Sequence, residues 1–84
     1  MMKLTEYEMR EIFANNLINL RSARRFRLSQ AALATYLNLS EYCINNYEQC
    51  KSSLNAYNVM LIADYFSCTV EEILTKDLFK RKEK

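Results

Sequence analysis

The chain has 84 residues, of which 50% are apolar, with a net charge of +2 and no glycine, proline or histidine. That length makes one small domain with a modest core. The missing residue types exclude a Gly-rich phosphate loop, a flexible Gly/Pro linker and histidine-based acid–base or metal chemistry.

The first residues, Met1-Met2-Lys3-Leu4-Thr5-Glu6, carry charge and no signal-peptide apolar run. No stretch of about 18 apolar residues follows, so no membrane contact is expected and the protein reads as cytoplasmic. Thr5-x-x-Glu8 is a capping-box pattern and predicts the start of a first helix. Met9, Phe13, Leu17 and Leu20 then recur at helical spacing, to about Arg25. Phe26 and Leu28 anchor the connection into the next element. Ser29 is a good N-cap for a second helix with Leu33, Ala34 and Leu37 on one face. Asn38 and Leu39 follow; Asn tolerates the left-handed backbone a sharp turn needs. Ser40 caps a third helix that carries Ile44 and Tyr47 inward. Asn55 caps a fourth, with Val59, Ile62, Ala63 and Phe66 inward, and Thr69-x-x-Glu72 is a second capping box for a short fifth helix with Val70, Ile73 and Leu74. The chain thus divides into a domain over 1–75 and a charged tail over 76–84, frayed at Lys80-Arg81-Lys82-Glu83-Lys84. Leu78 and Phe79 either fold back on the small core or form, with the fifth helix, a dimer surface.

The second and third helices, joined by a tight turn, can present the third to a DNA major groove. Around them Arg21, Arg24, Arg25, Arg27 and Lys51 outweigh Glu41 and Glu48. That local excess suits phosphates, although a solvated helix face has the same composition. At about 100° per residue, Ile44, Tyr47 and Glu48 share the core face. Tyr42, Asn46 and Gln49 lie nearly opposite, with Asn45 on the flank. Asn46 can pair bidentately with adenine, and Glu41 can accept from a cytosine amino group, although it has to avoid phosphates. Tyr42 can pack on a thymine methyl or reach a phosphate. Ser40 can cap and touch the backbone, and Asn45 can serve bases or phosphates. The alternative for each is an ordinary exposed side chain.

The series Leu28-Ser29-Gln30-x-x-Leu33-Ala34, Leu37-Asn38-Leu39-Ser40-x-x-x-Ile44-x-x-Tyr47-Glu48 and Val59-Met60-x-Ile62-Ala63-x-x-Phe66-x-Cys68-Thr69-Val70-x-x-Ile73-Leu74 resembles the Cro/C1-type (XRE) helix-turn-helix family. The resemblance spans residues 17–75. It implies an all-α, five-helix, lambda-repressor-like DNA-binding domain with its helix-turn-helix at the second and third helices. It also implies base contacts from Ser40, Glu41, Tyr42 and Asn46, to which the side-chain chemistry adds Asn45. Gln30 would bridge a phosphate to the recognition helix over 40–49, and Lys51 would meet phosphate. Arg24, Arg25, Arg27 and Gln49 complete the expected phosphate set. The family often has Gly where Asn38, Cys50 and Ser67 stand, and Pro where Leu54 stands. A left-handed Cys50 is uncomfortable, so that loop is expected to take another path. The Arg that often pairs with the acid matching Glu48 is displaced: Ala23 holds the strict position and Arg24 is one along. Glu48 is left to pair with Arg24 or to cap nearby amides.

The implied function is sequence-specific binding of double-stranded DNA by a transcriptional regulator, a repressor, acting as a homodimer on a near-palindromic operator. A rival is an antitoxin-like or accessory module whose exposed tyrosines, among six in the chain, meet a protein partner instead. An enzyme has no support: there is no catalytic set, no metal-ligand cluster and no cofactor motif, and the adjacent Glu71 and Glu72 diverge on a helix. Cys43, Cys50 and Cys68 match no zinc spacing and read as reduced thiols. Cys68 reads as core, whereas Cys43 falls near the outward face, which leaves a redox role open.

Overall fold

Every helix starts where a side-chain oxygen meets an amide that the helix itself leaves unpaired. In the computed structural model, which describes residues 3–79, α1 spans Glu6–Ser22, α2 Gln30–Leu37, α3 Glu41–Glu48, α4 Ala56–Tyr65 and α5 Val70–Thr75. Thr5 Oγ1 accepts from the Glu8 amide at 3.1 Å, and the Thr5 amide donates to Glu8 Oε1 at 2.9 Å. Thr69 and Glu72 repeat this box on α5 at 2.9 and 3.0 Å. Ser29, Ser40 and Asn55 each accept at 3.0 Å from the amide three residues on. Each cap contributes about 1 kcal/mol.

The helix ends share a second device. Asn38, Cys50 and Ser67 take φ of 59°, 57° and 62° after α2, α3 and α4. The amide of the next residue then reaches back into the last turn: Leu39 to Ala34 O, Lys51 to Asn46 O, Cys68 to Ala63 O. These are Schellman-type closures built without glycine. The loop at Cys50 therefore does not take the other path expected from its residue type; the closing bond from the Lys51 amide to Asn46 O holds the left-handed backbone in place. Arg27, at φ 48°, is a further left-handed residue. It lies where α1 has already ended at Ser22, short of the predicted Arg25. The chain turns there so that Phe26 can pack edge-on against Phe66 at 4.8 Å and tilted against Tyr65 at 6.0 Å.

The core is the apolar side of all five helices. Phe13, Leu17, Leu33, Ile44, Ile62 and Ile73 have no exposed surface, and Tyr47 packs edge-on to Phe13 at 5.7 Å. Burying such a side chain contributes about 1.5–3 kcal/mol. Cys68 is only half-buried against this core, and burial, followed by the Glu72 charge, pushes its thiol pKa up. Val70, at the start of α5, is 36% exposed and lines a shallow apolar groove of about 430 Å³ with Met9, Leu54, Met60 and Leu74. Asn16 is the one buried polar residue among the described residues. Its Nδ2 donates to Ile73 O at 3.0 Å and Lys76 O at 2.7 Å, and its Oδ1 accepts from the Leu78 amide at 3.1 Å. That clamp folds Leu78 onto the core, whereas Phe79 stays 42% exposed. The predicted fraying at 80–84 lies outside the described residues.

Candidate nucleic-acid interface

The frame of the site is one partly buried ion pair, the only ion pair among the described residues. Arg21 donates through Nε to Glu48 Oε2 at 2.7 Å and through Nη2 to Oε1 at 2.9 Å, with side-chain exposures of 17% and 5%. This two-pronged geometry suits guanidinium and carboxylate. Arg21 Nη1 also donates to Leu28 O at 3.0 Å, which ties the α1–α2 connection to the same point. The partner of Glu48 is therefore neither Arg24 nor a backbone amide. Arg21 stands two positions before Ala23, and the end of α1 at Ser22 lets the chain loop out between Arg21 and α2. Arg24, Arg25 and Arg27 lie exposed on that loop.

Gln30, the first residue of α2, joins the pair. Its Nε2 donates to Glu48 Oε1 at 2.7 Å, and its Oε1 accepts from Asn45 Nδ2 at 3.3 Å. Helices α1 and α2 thus converge on the C-terminal half of α3. A second link closes that end: Arg10 Nη2 donates to Cys50 O at 2.9 Å, and Cys50 Sγ donates to Arg10 O at 3.6 Å. The sequence offers Arg21 only as one of a basic cluster suited to phosphates, not as the partner of Glu48, and does not offer Arg10. Arg21 has the signal of a basic residue in the last turn of a helix; Arg10 has none.

The inward side of α3 is packed as the helical wheel predicts, with Ile44 and Tyr47 buried. Asn58 of α4 donates to Tyr47 Oη at 3.1 Å and to Cys43 Sγ at 3.7 Å. Cys43 is therefore half-buried against α4 and the core, not at the outward face. The Tyr47 pKa is raised, chiefly by burial, against the lowering effect of the Asn58 bond.

The outward side carries the remaining candidates. Ser40, Glu41 and Tyr42 are exposed at the start of α3, Tyr42 to 76%. Asn46 is half-buried, and Gln49 and Lys51 are exposed past the last turn. Gln30 and Asn45 are drawn together, whereas Ser40, Glu41 and Tyr42 stand at the other end of the helix. Arg25 is engaged elsewhere: its guanidinium lies 5.4 Å over the Phe26 ring. No helix is long and apolar enough to cross a membrane among the described residues.

Two short helices, the second capped by Ser40 with a polar outer face, define a helix-turn-helix protein. The family profile of the Cro/C1-type HTH DNA-binding domain matches residues 16–77, and the chain belongs to that family. None of the curated proteins matches it in sequence. Among solved structures it is similar to that of the SOS-response transcriptional repressor LexA from Eubacterium rectale, with a TM-score of 0.74 and 16% identity over 96% of this chain and 84% of that one. At that identity the likeness speaks for the five-helix fold.

Proposed function

We propose that this protein is a sequence-specific double-stranded-DNA-binding transcriptional regulator, a repressor, that acts in the cytoplasm without catalysis or cofactor. The observation that carries the reading is the outer face of α3, where Ser40, Glu41, Tyr42 and Asn46 lie on a helix fixed by the Arg21–Glu48 pair. Membership of a DNA-binding-domain family supports it. The N-terminal turn of α3, with Ser40, Glu41 and Tyr42, enters the major groove, and Asn46 pairs with adenine N6 and N7. Gln30, Gln49 and Lys51, with Arg24 and Arg27 on the loop before α2, meet phosphates; Arg25 does so only by leaving Phe26. One such helix covers few base pairs, so two copies bind a near-palindrome with recognition helices about 34 Å apart. The apolar groove around Met60, which is itself 58% exposed, and Phe79 offer that second copy a surface.

A protein-interaction module is the second reading, favoured by Tyr36 and Tyr57 at 64% and 67% exposure. Selection of bound duplexes from a random pool, followed by salt titration, separates the two. The regulator reading expects a recovered near-palindrome, with log K falling by about 0.9 per phosphate contact per decade of salt. Weak binding with no preferred sequence overturns it.

A further inference from the structure

The hydrogen bonds around Glu48 admit only one direction. Arg21 only donates, and a carboxylate only accepts. Gln30, held 2.7 Å from Glu48 Oε1, must therefore turn its Nε2 inward. That turns its Oε1 to Asn45, which has to answer with Nδ2, at 3.3 Å. Reversing either amide sets oxygen against oxygen or nitrogen against nitrogen. The chain of donors thus runs Asn45 to Gln30 to Glu48; it uses one Nδ2 hydrogen of Asn45, holds the amide in one orientation and leaves Oδ1 with no partner in the network. Asn45 is half-buried on the flank of the outward face.

From this we infer that Asn45 reads DNA as a hydrogen-bond acceptor for an exocyclic amino group, adenine N6 or cytosine N4, with Gln30 and Glu48 as positioning residues that set its polarity. Phosphate oxygens, guanine N7 and O6 and thymine O4 are themselves acceptors and do not suit an outward Oδ1. The second Nε2 hydrogen of Gln30 has the opposite polarity and suits a phosphate. The inference rests on the DNA-reading role proposed above and deepens it: without the network, Asn45 serves a base or a phosphate equally well.

The test uses the full chain and the duplex recovered by selection. Asn45→Ala first locates the base pair whose identity it ceases to discriminate. At that pair, purine replaces adenine or 2-pyrimidinone replaces cytosine, which deletes the amino group alone. Wild-type binding is expected to weaken about fivefold, the size of one net hydrogen bond, and binding by Asn45→Ala to stay unchanged. Gln30→Ala frees the Asn45 amide to rotate, so this variant is expected to tolerate the inverted base pair within about twofold while the other positions keep their preferences. Three results overturn the inference. In the first, amino deletion has no effect and 7-deaza substitution of the purine at the same pair weakens binding instead. In the second, Asn45→Ala lowers affinity for all sequences equally. In the third, Gln30→Ala keeps full discrimination against the inverted pair. Failure of the wild-type protein to prefer any sequence is a different result, which removes the DNA-reading role itself.

Discussion

Two polar clusters are attached to α1, and they differ in what they leave over. The Asn16 cluster is closed. Both hydrogen-bonding atoms of its amide are taken up by backbone groups at Ile73, Lys76 and Leu78, at 1% exposure. The Glu48 cluster is open at one end. It begins at a partly buried ion pair and ends on Gln30 and Asn45, both half-buried, with capacity to bond something outside the protein. A closed cluster fixes shape and offers nothing further. An open one fixes the orientation of the groups it presents.

The largest test of this contrast removes Arg21. Arg21→Ala leaves a carboxylate buried with only Gln30 for company, and loss of one partner of a buried pair costs about 3–5 kcal/mol. Urea unfolding should show that loss, and a fall in stability below about 1 kcal/mol would reclassify the pair as a surface bridge. Asn16→Ala comes next. It strands the carbonyls of Ile73 and Lys76 and frees Leu78, at about 2–3 kcal/mol. The two variants should part company in DNA binding, measured cold where both are folded. Arg21→Ala loses sequence preference because α3 and Gln30 lose their common anchor. Asn16→Ala keeps it. Loss of preference in folded Asn16→Ala would show that the two clusters are not independent.

Beside the open end, Asn46 and Lys51 sharpen the difference between reading and holding. Asn46→Ala is expected to weaken the selected site by about 1–3 kcal/mol and leave scrambled duplex nearly untouched. Lys51→Ala should weaken every sequence and reduce the salt slope by about one. Equal loss on all sequences for Asn46→Ala would move it to the phosphate set.

The frame was legible because its signals are local. Thr5, Ser29, Ser40, Asn55 and Thr69 act on amides three residues away, so residue type and spacing suffice to place the helix starts. The side of α3 that packs follows from Ile44 and Tyr47 alone. What escaped depends on distant partners. Asn16 lies on the stripe of Phe13, Leu17 and Leu20, where a polar residue reads as a gap; its partners are about sixty positions away. Arg21 was passed over in favour of Arg24 because the family spacing counts residues through a turn that this chain lengthens. Arg10 carries no signal in the sequence, and Cys43 reads as near the outward face, for the same reason: the Cys50 carbonyl and Asn58 amide that claim them lie on other elements. The roles of the outward residues rest on a partner that the protein's own packing does not specify.

Cys50 gives the smallest and most delicate test, since the open cluster depends on how α3 ends. At φ 57° a non-glycine residue in the left-handed region is disfavoured by roughly 1–2 kcal/mol. Cys50→Gly relieves that cost. It keeps the bond from Arg10 Nη2, which goes to a backbone carbonyl, and the Lys51 amide to Asn46 O bond, which is also backbone. What it gives up is a weak bond from Sγ to Arg10 O at 3.6 Å and some half-buried sulfur surface. The larger effect is the backbone one, so a net gain of about 0.5–1 kcal/mol is expected, seen as a melting temperature higher by a few degrees. Asn38→Gly, at a residue that already tolerates φ 59°, should change stability far less. A loss of stability in Cys50→Gly, with Asn38→Gly neutral, would mean that the thiol contact to α1, rather than the backbone closure, holds the end of the helix.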